Sequence, residues 1–269
     1  MRDLLKFFVL TYAVTWACFI TVAAAIPANT ALGYSLVLLG AYAPSFVAVL
    51  LTALREKENG IRALLRHVIQ WDVGARWYVF AAFYIVAVKL AVALLLRAST
   101  GQWPRFGTTP WYVIPLAVAF STPFQAGEEI GWRGYALPRL ADSIGLRWAS
   151  ILLGVIWAVW HLPQFFIREG DTYGQPFLVF ALQVIAISVA LAWLWNGTRG
   201  SLLLPMLLHS AVNNSKDIVP SATPSASDTF GVHASPVAWL TLVLLWIGAV
   251  YFLARMPGTF RAGAGERRC

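Results

Sequence analysis

The sequence predicts an all-α polytopic membrane protein in which about eight transmembrane helices enclose an intramembrane polar site. Three observations carry this. First, 59% of the 269 residues are hydrophobic and 12% charged, and the mean hydropathy is +0.68, whereas soluble domains carry about 25% charged residues. Second, apolar segments fall at roughly 7–26, 32–54, 77–96, 110–140, 147–167, 173–195, 200–214 and 235–254, most of them long enough to cross a bilayer. Third, the basic residues cluster on alternate loops. The 13 Trp and 9 Tyr suit interfacial belts.

The first segment follows a basic start, Arg2 and Lys6, and ends in VAAAIPA. Its apolar run of about 20 residues has a membrane-spanning length and exceeds the usual h-region of a cleaved signal peptide, so it reads as a retained helix. After the second segment, Ile61, Leu64, Leu65, Val68 and Ile69 recur at helical spacing beside Arg62 and Arg66. That pattern predicts a helix lying on an anionic membrane surface. In the third segment Lys89 is close enough to the end to snorkel outward. The fourth segment is overlong, and its hairpin with the fifth turns at DSIG, residues 142–145. The seventh is short. Cys18 reads as packing, and Cys269 lacks the following residues that prenylation requires. No repeat or linker divides the chain, so a single membrane domain over 1–269 is expected, with its motifs within about 120–215.

The net charge of +8 is topological rather than a nucleic-acid footprint. With the N-terminus cytoplasmic, the inside loops carry Arg2, Lys6, Arg55, Lys57, Arg62, Arg66, Arg76, Arg133, Arg139, Arg147, Arg199, Arg255, Arg261, Arg267 and Arg268. The outside loops carry Arg97, Arg105, Arg168 and Lys216. The positive-inside rule therefore places both termini in the cytoplasm, and the Arg-rich, Ala-rich composition suggests the inner membrane of a high-GC bacterium.

Five polar residues inside the spans demand explanation: Glu128, Glu129, His161, His209 and Asn213. Intramembrane ionisable groups are expensive and usually functional. Glu128 and His161 are nearly equidistant from the 142–145 turn, roughly 18 to 22 Å along their helices, and His209 lies roughly 14 Å past Gly200. All can reach one layer. Glu129 and Arg133, four apart, share one helical face, a spacing that predicts an ion pair, as His209 and Asn213 share another face. Glu128 has only Gly131 and Trp132 at those spacings and must find its partner elsewhere. A carboxylate with an imidazole supplies the parts to activate water, and His209 with Asn213 supplies oxyanion donors. Glu128, His161 and His209 also match a catalytic zinc ligand set, and the residues leave both chemistries open.

EEIGWR at 128–133, WAVWH ending at His161 and HSAVN at 209–213 resemble, in order, the Glu-Glu-x-x-x-Arg, Phe-x-x-x-His and His-x-x-x-Asn motifs of the CPBP family. That family comprises type II CAAX prenyl endopeptidases and bacteriocin-processing or abortive-infection membrane proteins. Trp157 stands where the pattern has Phe, a departure that bears more on packing than on chemistry. The resemblance implies an endopeptidase acting on a peptide or membrane-associated protein substrate from a cavity open to the cytoplasm. It implies Glu128 and His161 as the water-activating pair, His209 and Asn213 as the oxyanion hole, and Glu129, Arg133 and Trp157 in support, with the metal left open. A non-proteolytic scaffold or bacteriocin self-immunity protein that keeps the motifs is the second reading. A proton-coupled transporter using Glu128 is the third, although the inverted repeats expected of one are not visible.

Overall fold

The computed structural model describes residues 2–221 and 229–257, so Cys269, Arg261, Arg267 and Arg268 lie outside it. Ten helices follow in order: α1 (Arg2–Ala24), α2 (Ala31–Arg66), α3 (Ala75–Thr100), α4 (Val113–Ser121), α5 (Ala126–Glu129), α6 (Leu137–Ile144), α7 (Leu146–Trp160), α8 (Phe177–Gly197), α9 (Leu203–Ser215) and α10 (Pro236–Arg255). The described residues hold no strand. Among the described residues, six stretches are long and apolar enough to cross a membrane, those of α1, α2, α3, α7 with its 3₁₀ extension, α8 and α10.

The two remaining predicted segments are not simple spans. The fourth is broken into α4, a 3₁₀ turn at Thr122–Gln125, α5, a π-helical stretch at Ile130–Ala136, and α6. Pro123 sits at the start of the 3₁₀ turn, where a missing N–H is tolerated. Its middle is held against α2 by close packing. A Cβ on Gly131 would lie 2.6 Å from the Pro44 carbonyl carbon, and Ser45 Oγ donates to the Ala126 carbonyl at 2.6 Å. Pro44 in turn frees the Gly40 carbonyl from its helical bond, and Thr15 Oγ1 on α1 satisfies it at 2.7 Å. The seventh segment, α9, has 13 residues, hence about 20 Å, short of an apolar core about 30 Å thick. Small residues let α7 meet α8 closely: Gly154 lies against Ile185 and Ser188, and Ser188 Oγ donates to the Ser150 carbonyl.

The helix ends define two faces. Arg55 pairs with Asp3, Arg139 with Glu56, and Arg147 donates to the Met256 carbonyl, so the start of α1 and the ends of α2, α6 and α10 meet on one face. That basic face carries Arg2, Lys6, Arg55, Lys57, Arg62, Arg66, Arg76, Arg139, Arg147, Arg199 and Arg255. The loops after α1, α3, α7 and α9 share the opposite face, where Lys216 pairs with Asp171 and Asp217 Oδ2 accepts from Thr109 N at 2.9 Å. These hydrogen bonds to Thr109 hold the half-buried Asp217 carboxyl below its ordinary range.

Two expectations require correction. The amphipathic stretch after position 55 is joined to α2 through a break at Lys57, whose φ is 53°. It does not lie wholly on lipid: Leu64 is buried with Ile130, Leu202 and Met206 beneath the site, while Leu65 and Ile69 are exposed. Lys89 does not snorkel outward. It is buried, and its Nζ donates to the Val219 carbonyl at 3.2 Å and to Ser221 Oγ at 2.9 Å, because the loop after α9 folds back over α3.

Candidate active site

α5 places Glu128 and Glu129 on adjacent positions that diverge in environment. Glu129 and Arg133 are both fully buried, with Arg133 Nη1 donating to Glu129 Oε1 at 2.9 Å. The same oxygen accepts from His209 Nδ1 at 2.8 Å, so one carboxylate ties the π-helical stretch to α9. That link was missed by the sequence reading, which paired Glu129 with Arg133 alone. The intervening π-helix has a period that changes which residues share a face, and such irregularities recur at functional sites.

Glu128 is half-buried and finds its partner across the bundle. Trp157 Nε1 on α7 donates to Glu128 Oε2 at 2.8 Å. The indole does more than pack, contrary to the expectation drawn from its departure from Phe. Its ring also lies 4.2 Å from the Arg133 guanidinium carbon, in cation–π range, and its centroid is 5.2 Å from that of His209. Its position four residues before His161 offered a usable signal, since residues at that spacing share a helix face.

His161 caps α7, and its Nδ1 lies 2.7 Å from the Trp157 carbonyl. A carbonyl only accepts, so Nδ1 carries a proton and neutral His161 presents a lone pair on Nε2. The ring is wedged edge-on against Trp160, centroids 4.7 Å apart, and against Phe180 at 5.3 Å. Asn213 is exposed, and its Nδ2 lies 3.4 Å from Gln125 Oε1, a partner on the 3₁₀ turn that sequence spacing did not reveal. Behind it Asn214 Nδ2 donates to Ser121 Oγ at 2.8 Å, fixing α9 to α4.

Glu128, Trp157, His161, His209 and Asn213 line one cavity of about 1050 Å³. The structure therefore brings four of the candidate catalytic residues to one space, with Glu129 and Arg133 buried beside it. Asn29, Glu169, Asp171, Lys216 and Asp217 also line it, which puts its mouth on the face opposite the basic one.

The zinc alternative does not fit the donors. No group of three His, Cys, Asp or Glu side chains among the described residues is arranged to hold a metal ion.

Fold and site thus define a polytopic helical membrane protein with a Glu and His cluster facing a cavity between spans that stop short. Residues 108–215 match the family model of type II CAAX prenyl endopeptidases, described as Rce1-like. The chain is 25% identical over 232 residues to the CAAX prenyl protease 2 of Methanococcus maripaludis, an alignment covering 79% of this chain and 83% of that one. Residues 108–215 are thus similar to an Rce1-like CAAX prenyl endopeptidase domain, and the chain is a membrane protease.

Proposed function

We propose that this protease hydrolyses a peptide bond with a water molecule activated by Glu128 and His161. The observation that supports this most is the pair of committed contacts on the two groups. Trp157 occupies Glu128 Oε2, leaving Oε1 to accept from water, and the Trp157 carbonyl holds His161 Nδ1–H, leaving Nε2 as a base. One tryptophan thereby orients both members of the pair. A carboxylate and a neutral imidazole facing one cavity are the components of general-base attack on a carbonyl.

The developing oxyanion is taken by His209 and Asn213. Because His209 Nδ1 donates to Glu129, donation through Nε2 requires the protonated ring. Glu129 then balances His209 on one side and Arg133 on the other, and its burial makes it a fixed counter-charge rather than a base. Asn213 Nδ2 has a second N–H beyond its long contact to Gln125. Protonation of the leaving amine returns the proton that Glu128 and His161 removed from water.

The substrate is a peptide segment of a protein held at the membrane. The relative's name specifies prenylated CAAX proteins, whereas other proteases with these motifs process bacteriocins, and the described residues favour neither class. The reading is tested by incubating purified protein with a peptide library and identifying products by mass spectrometry. Cleavage by the parent and none by Glu128→Gln supports it. A scaffold or self-immunity role predicts instead that Glu128→Ala keeps the full cellular effect while no peptide is cut.

A further inference from the structure

We propose that Lys89 is the anion-recognition residue of the cavity, and that it holds a carboxylate of the peptide substrate while Glu128 and His161 act on a nearby peptide bond. The peptide as ligand rests on the peptidase reading, while the anion site stands on burial and charge alone. Two Lys or Arg side chains are buried among the described residues, Arg133 and Lys89. Arg133 has its carboxylate in Glu129. Lys89 is 5% exposed, and among the described residues no carboxylate pairs with it. Its Nζ donates to two neutral oxygens, the Val219 carbonyl at 3.2 Å and Ser221 Oγ at 2.9 Å, whereas an ammonium has three N–H groups. One donor and the positive charge are left over. Lysine is almost never buried unless paired, because a buried charge without a counter-charge is costly.

Lys89 lines the same cavity as Glu128 and His161, and at the same level. From Ala75, where α3 leaves the basic face, Lys89 is about 21 Å along the helix, and from Leu146 His161 is about 22 Å along α7. Ile85, Val184, Ile187 and Leu245, from α3, α8 and α10, also line the cavity, and Ile85 is one turn before Lys89 on the same face. Apolar walls exclude water and strengthen the pull of an ammonium on an anion. The other lysine of the cavity, Lys216, is paired with Asp171. A negative group entering the cavity therefore meets one uncommitted Lys or Arg among the described residues, and it is Lys89. The anion a peptide ordinarily carries is a carboxylate, at its C-terminus or on Asp or Glu. Held by Lys89, it fixes the register of the peptide against Glu128, so that the bond cut lies at a constant distance from the carboxylate.

The test uses the purified full chain and fluorescein-labelled peptide pools of one length. One pool has a free C-terminal carboxylate and no acidic residue, the second is its C-terminal carboxamide, and the third is that carboxamide with one internal Glu. Fluorescence anisotropy reads binding, and mass spectrometry reads cleavage. The parent is expected to bind one of the carboxylate-bearing pools about tenfold or more tighter than the plain carboxamide, and the preferred pool tells a terminal carboxylate from a side-chain one. Lys89→Met removes the charge and should bring that ratio close to one, while Lys89→Arg should keep most of it. Equal binding of all the pools by the parent overturns the proposal. An unchanged ratio in Lys89→Met, with every pool bound more weakly, also overturns it and makes Lys89 a clamp for the loop after α9. The parental comparison needs no variant, so failure of Lys89→Met to fold leaves the test intact. Discrimination in binding without any cleavage keeps the anion site and removes the peptidase reading.

Discussion

The Trp157 indole N–H donates to Glu128 Oε2 at 2.8 Å, so the residue that departs from the family's Phe is bonded to the carboxylate proposed to act on water. Trp157→Phe keeps the aromatic volume and removes this bond. Hydrogen bonds to charged groups contribute about 1.5 to 3 kcal/mol, and each 1.36 kcal/mol is a factor of ten in rate. The variant is expected to fold and to lose about tenfold or more in kcat. Kinetics at parental rate would show that the bond does not position Glu128.

The two adjacent glutamates are expected to respond differently. Glu129→Ala leaves Arg133 buried without its carboxylate and releases His209, and breaking a buried pair costs about 3 to 5 kcal/mol. Glu128 is half-buried and faces the cavity, so Glu128→Gln should unfold close to the parent. Thermal unfolding in detergent decides this, and equal midpoints for Glu129→Ala and Glu128→Gln would contradict the assignment of roles.

Much of this was legible in the sequence for a physical reason: an apolar chain makes every intramembrane charge conspicuous. Glu128, Glu129, His161, His209 and Asn213 stood out, and period and turn position placed them at one depth. The eight apolar segments were equally plain. The parts that stayed hidden depend on departures from regular helix. The π-helical stretch at Ile130–Ala136 and the 3₁₀ turn at Thr122–Gln125 rest on close contacts with α2 and α9 that no local pattern encodes. Lys89 was misread because its partners, Val219 and Ser221, lie 130 and 132 residues away.

Asn213 donates to the oxyanion mainly in the transition state in this account. Removing one such donor typically costs 10²- to 10³-fold in kcat, so Asn213→Ala should lower kcat by about that factor with little change in KM. A raised KM at unchanged kcat would instead make Asn213 a ground-state binding residue.

Hydrolysis should survive removal of divalent metal, because the donors around Glu128 are arranged for hydrogen bonding rather than for a three-ligand site. Dialysis against a chelator followed by assay on a cleaved peptide checks this. Loss of activity that zinc restores would reinstate metal chemistry.

Gly131 lets the site-bearing segment lie against Pro44. Gly131→Ala would force a Cβ to within 2.6 Å of Pro44 backbone atoms, and overpacking of this kind costs about 1 to 3 kcal/mol. A lowered unfolding midpoint is expected, and an unchanged one would show that α2 can retreat freely.

The most direct test of the central claim is single-turnover cleavage of an identified peptide substrate by purified parent and Glu128→Gln, with folding of both confirmed by thermal unfolding. The account predicts bound substrate and no product for Glu128→Gln. Product formation at the parental rate would contradict it.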